Sequence, residues 1–197
     1  MSIGTILPDI MAECGLSAVS PLINDPSFEM RQIKAFMQAA GDEIARRAEW
    51  SKLSKIVYGS NASAIALGDD FARLSEANPV MRGGGHRPVR VVTAPAMWQM
   101  LEAKPSAQYY CHIRSGTILF SPAIGPEGVT VRYQSRHWLG GTETITSNDH
   151  IPAFPERLLA RGTIWRFRRQ KGVAYDDILA EFEADLAAEI AADRGEM

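Results

Sequence analysis

Cysteine is scarce in this sequence: Cys14 and Cys111 are the only two, and they form no CxxC pair. A disulfide framework and a zinc site each need clustered thiols, so neither has a basis, and two reduced, packed thiols are expected. Long apolar runs are missing as well. No stretch reaches the roughly 18 residues of a membrane helix, and MSIGTILPDIMAECG lacks the basic lead and extended apolar segment of a signal peptide. The expected location is the cytoplasm, or a particle assembled there, with no membrane partner. Neither charge dominates, since 21 Lys and Arg stand against 23 Asp and Glu in 197 residues, a formal charge of -2. Overall basicity of the kind that favours nucleic acid is absent.

Catalytic and ligand-binding patterns are also lacking. The four histidines, His86, His112, His137 and His150, sit at no metal-ligand spacing, so no metal or other cofactor is expected. Gly83-Gly84-Gly85 lacks the lysine of a phosphate loop and any strand-to-helix context, and a loop or interface segment is the better account. GxSxG does not occur. The candidate carboxylate pair, Asp69 and Asp70, are chain neighbours that do not converge on one substrate, and Asp70 reads as a cap for a helical turn Asp69 to Leu74. An enzyme is not expected. A small hydrolase built around the middle of the chain and dependent on Asp70 is the weaker rival.

What is present is an ordinary amphipathic chain, 46% hydrophobic and 22% charged, long enough to bury a core. Asp25-Pro26 reads as N-cap and first helical position. Beyond it Met30, Ile33, Met37, Ala40, Ile44 and Ala48 recur at spacings of 3 and 4, the stripe of a long helix. A shorter helix is expected near Ile6 to Glu13, stopped by Gly15. From Trp50 the pattern turns to short alternating runs broken by Gly, Pro, Asn and Ser, which read as strands. Hairpins are expected at Ser115-Gly116 and near Gly125 to Gly128, with a short helix over Pro95 to Lys104 and a polar loop over 140 to 150. In VTVRYQS, Val129, Val131 and Tyr133 share one face and Thr130, Arg132 and Gln134 the other. After Pro155 helical patterning returns, divided by Gly172 into Glu156 to Lys171 and Val173 to Asp193, an αα-hairpin. The expected fold is α+β: a helical body from 1–49 and 151–197, with an antiparallel β module, 50–150, inserted between its halves.

Charge is segregated at the end of the chain. Six of the seven basic residues after position 150 lie from Arg157 to Lys171, and eight of the nine acids lie from Asp176 to Glu196. In TIWRFRRQKG, Arg166, Arg168, Arg169 and Lys171 surround Trp165 and Phe167, which raises a nucleic-acid-binding module as the alternative. At 100° per residue, Arg157, Arg161 and Arg168 fall on one ridge and Trp165 on an adjacent apolar stripe. That helix is packed on several sides, with Trp165 in the core rather than free to stack on bases. Asp177, Glu181 and Asp185 form an outer stripe on the helix that follows. Opposed stripes of this kind suit docking between protein surfaces.

Laid out in order, six segments carry a resemblance: RQIKAFMQAAGDEIARRAEWSKL (31–53), GDDFARL (68–74), APAMWQMLEA (94–103), HIRSGTILFSPA (112–123), VTVRYQSRHWL (129–139) and FPERLLARGTIWRFRRQKGVAYDDILAEFEADLAAEIA (154–191). Together they resemble the head-to-tail adaptor, or connector, proteins of tailed bacteriophages and gene-transfer particles. The tracts 59–64 and 81–86 depart from that pattern. The resemblance implies a dodecameric ring under the portal protein, through which double-stranded DNA passes without being read. It also implies a platform for the next tail component, whether stopper, nozzle or tail tube, and a place in the virion neck. On that reading Arg157, Arg161, Arg168, Arg169 and Lys171, with Asp177, Glu181 and Asp185, are expected at subunit or portal contacts. Arg132, Gln134, Arg136, Arg82 and His86 are expected on the tail-side surface of the β module.

Overall fold

The structure is a computed structural model and describes residues 2–17, 22–84 and 87–195. In chain order its elements are α1 (Ile3–Glu13), α2 (Phe28–Arg47), β1 (Ser54–Gly59), β2 (Ala62–Ala66), β3 (Phe71–Leu74), β4 (Val80–Arg82), β5 (Arg87–Pro88), β6 (Arg90–Val91), α3 (Pro95–Ala103), β7 (Tyr110–Arg114), β8 (Thr117–Ile124), β9 (Val129–Ser135), α4 (Glu156–Lys171) and α5 (Asp176–Arg194). The fold is α+β, with helices at both ends of the chain. It packs as two compact units: residues up to Leu53 together with those from Arg136 onward, and Ser54–Ser135.

The helical unit is organised by the apolar stripe of α2. Met30, Ile33, Met37, Ala40 and Ile44 are all buried, and each of the Met and Ile side chains contributes roughly 1.5–3 kcal/mol relative to exposure. Leu158, Leu159, Ile164 and Phe167 of α4 join the same core, as do Ile3, Leu7 and Ile10 of α1 and Phe182 and Leu186 of α5. The start of α2 differs from the expected Asp25-Pro26 cap. Ser27 is the N-cap and accepts from Met30 N at 3.4 Å, while Asp25 Oδ1 accepts from Ser27 N at 2.8 Å. The two side chains share the work, and the helix begins at Phe28.

Residues 136–150, expected in the β module, belong to the helical unit. The reason is apolar: Trp138, Leu139 and Ile145 are buried in the helical core. Gln38 of α2 fixes this segment, donating to Glu143 O at 2.6 Å and accepting from Ile145 N at 3.0 Å. The segment in turn caps α1, because the carbonyls of His150 and Asn148 accept from Ile3 N and Gly4 N at 2.8 and 2.7 Å. These are two of the amides that a helix start leaves without an internal partner.

The β unit has two sheets. One runs β1-β9-β4-β5, with β3 also paired to β9; the other runs β2-β8-β7-β6, with β6 and β7 parallel. Both contribute to one core, Val80, Val129 and Val131 from the first and Cys111, Ile118 and Phe120 from the second. The hairpin at Ser115-Gly116 forms, with φ of 50° and 72° at the two turn residues, as a two-residue turn with positive φ at both positions requires. The second expected hairpin does not. β8 and β9 lie in different sheets, so Gly125 to Gly128 carries the chain from one layer to the other. The expected helical turn at Asp69 to Leu74 is also corrected, since Phe71–Leu74 is strand β3, paired to β9. The short helix over Pro95 is present as α3, and it buries Trp98 and Leu101.

Candidate assembly interface

Most of the candidate residues lie on the αα-hairpin. Gly172, at φ 68°, ends α4: its own N–H bonds to Arg169 O at 3.2 Å and Val173 N to Arg168 O at 3.0 Å. Only glycine enters this left-handed conformation at no steric cost. The reversal lays the acids of α5 against the arginines of α4. Arg157 bonds Glu189 and stands 3.8 Å from Asp185; Arg161 bonds Asp185 and reaches Glu181 at 3.2 Å. Arg168 donates to Glu13 of α1 at 2.9 Å and lies 3.9 Å from Asp177. Within one chain these three arginines already have carboxylate partners.

Arg169 and Lys171 differ from these. Both are exposed, and neither pairs with a carboxylate among the described residues. The Lys171 ammonium stands 5.3 Å from the Phe167 ring centroid and 5.9 Å from that of Phe28, within cation–π range. Arg166 is drawn inward. Its side chain is 11% exposed, bonds Glu43 of α2, donates to Gly162 O at 2.6 Å and lies 4.2 Å over the Trp165 ring. Burial lowers its guanidinium pKa, with Glu43 acting in the opposite sense. Trp165 packs against the helical core. Of the residues a nucleic-acid surface would draw on, Arg166, Arg168 and Trp165 are thus engaged within the fold.

The described tail-side candidates differ in exposure and in the unit they belong to. Arg132 is exposed on β9, as alternation predicts. Gln134 is only 2% exposed, against expectation: strand periodicity gives the face of a side chain, not what comes to lie over that face. Arg136 pairs with Glu143 at 3.7 Å and belongs to the helical unit. Arg82 bonds Glu127 at 2.9 Å and stands 3.6 Å over the Tyr109 ring. His86 lies outside the described residues.

Glu13, Glu43 and Glu189 complete the charge network and were not among the sequence candidates. Glu189 continues the four-residue spacing of Asp177, Glu181 and Asp185 and was readable from that stripe; Glu13 and Glu43 meet their arginines only through tertiary packing. Among the described residues no three His, Cys, Asp or Glu side chains gather as a metal site, and no helix is long and apolar enough to cross a membrane.

The chain belongs to the SU10 adaptor protein family, a phage head-to-tail adaptor family whose model matches residues 7–197. No curated protein sequence matches it. Membership implies a structural rather than catalytic role, as a component of the virion neck.

Proposed function

We propose that this chain is the subunit of a ring that sits under the portal, joins capsid to tail and surrounds the path of the genome. The observation that carries the reading is the family match, which runs through both units and leaves only the first six residues outside. The partners are further copies of the chain, the portal protein and the next tail component. Double-stranded DNA passes through without base-specific contact. A closed ring requires each subunit to offer two different surfaces that fit each other, and a rigid helical body is suited to presenting them. Engagement of Arg166, Arg168 and Trp165 within the fold disfavours a dedicated nucleic-acid module. The test is co-expression with the portal protein and imaging of the purified complex. Rings stacked on the portal are expected. A chain that stays single and ignores the portal at high concentration, or that binds DNA with a steep salt dependence in place of the portal, overturns the proposal.

A further inference from the structure

The ion pairs of the helical unit leave two surface features unsatisfied, and these lie at opposite ends of α4. Where α4 ends, Phe28 is 58% exposed at the first position of α2, beside Gln170. Arg31 follows one helical turn later, on the same face. Arg31, Arg169 and Lys171 meet no carboxylate among the described residues, so this end presents an aromatic ring among cations without carboxylate partners. Where α4 begins, Ile6, Pro155 and Ala160 line a groove together with Asp9, Glu156, Arg157 and Glu189. Glu189 is taken by Arg157, whereas Asp9 meets no cation among the described residues.

We propose that these are the two halves of a subunit contact: Phe28 of one copy enters the groove of the next, and Arg31 pairs with Asp9 across the joint. The inference rests on the ring reading above and supplies its contact. Three observations converge on a second copy as the occupant. The groove has apolar lining in Ile6, Pro155 and Ala160, and Phe28 is a large apolar side chain left 58% exposed. The charges without an ion-pair partner at the two ends are opposite in sign, which fixes the orientation of docking. The two features are separated by most of a helix roughly 24 Å long at 1.5 Å per residue. Mating one with the other is therefore head to tail; it repeats from copy to copy and closes into a ring when the rotation allows. A nucleic acid would engage the cationic end alone and has no use for a groove lined by Asp9, Glu156 and Glu189.

The experiment is a charge swap in the full chain, with folding of each variant verified by circular dichroism and thermal melting. Arg31→Asp and Asp9→Arg are expected each to lower ring formation on the portal about tenfold, and the double variant to recover most of it, as a direct pair requires. Phe28→Ala is expected to lower it without rescue by either swap. Mixing Phe28→Cys with Ala160→Cys chains should give disulfide-linked pairs across copies, and neither variant should link to itself. Wild-type rings together with unaffected single swaps overturn this contact and leave the ring reading standing. A wild-type chain that forms no ring with the portal present overturns both. Self-linking of the Phe28→Cys chain, or loss of DNA binding with Arg31→Asp while rings form normally, also overturns the contact.

Discussion

Arg47 holds Glu183 in a two-pronged grip, its Nη1 and Nη2 each 2.6 Å from a different carboxylate oxygen, and so ties the last turn of α2 to the middle of α5. The pairing raises the pKa of Arg47 and holds that of Glu183 below the usual carboxylate value of 4.5. A depressed folded-state pKa gives stability that is present above pH 4.5 and disappears as pH falls through the lowered value. Glu183→Gln is therefore expected to destabilise at neutral pH by about 0.2–1 kcal/mol, the range for a partly exposed pair. Wild type and variant should converge in strong acid. Urea denaturation at neutral pH and again well below pH 4 checks this; an equal gap at both would refute it.

Gly41 lies in the middle of α2, where alanine ordinarily favours the helix by roughly 0.5–1 kcal/mol. Here a Cβ would fall 2.1 Å from the Trp138 ring, which is itself fully packed and donates from Nε1 to Asp42 at 2.9 Å. Displacing that indole costs about 1–3 kcal/mol or more. Gly41→Ala is expected to lower the melting temperature, and a rise would show that Trp138 moves aside freely.

Only Phe182 and Leu186 of α5 are fully buried. Phe182→Ala is expected to cost about 3–5 kcal/mol and to open α5 to limited proteolysis before the rest of the helical unit. Glu181→Ala, which removes one exposed partner of Arg161, should leave the cleavage pattern unchanged. Equal protection in both variants would mean that the ion pairs alone secure the helix.

Tyr133 donates to Asp70 at 2.9 Å, and burial foremost, with that bond second, lifts its phenol from 10.0 to about 12. With the folded value above the unfolded one, Tyr133 supports the fold fully below pH 10 and ceases to do so as pH rises towards 12. In an ultraviolet titration one of the five tyrosines is expected to ionise well after the others, and Asp70→Asn should bring it earlier. Simultaneous ionisation of all the phenols would contradict this placement.

The helices were legible because their information is local. The stripe from Met30 to Ile44 and the stop at Gly172 each lie within a few residues of what they determine, and α4 has the expected bounds. The β unit was less so. The Gly and Pro signals at 125–128 are the same whether the flanking strands pair or part into separate layers, and the choice rests on β1, β3 and β4, distant partners that take both edges of β9. Phe71 to Leu74 is too short for its own period to decide between helix and strand. The arginine ridge and its facing acids were visible as stripes. That one chain satisfies both depends on how sharply Gly172 turns α5 back, which no stripe encodes.

The covering of α2 by α4 sets an order on biosynthesis. The ribosome delivers Ile33, Met37 and Ile44 long before Leu158 and Phe167, the side chains that shield them, and the entire β unit is translated in between. That β unit has all its strands once Ser135 emerges, whereas the helical unit stays greasy and open until α4 and α5 have emerged. The groove built from α1, α4 and α5 is accordingly the last surface to mature, and nascent chains lack it while they are still tethered.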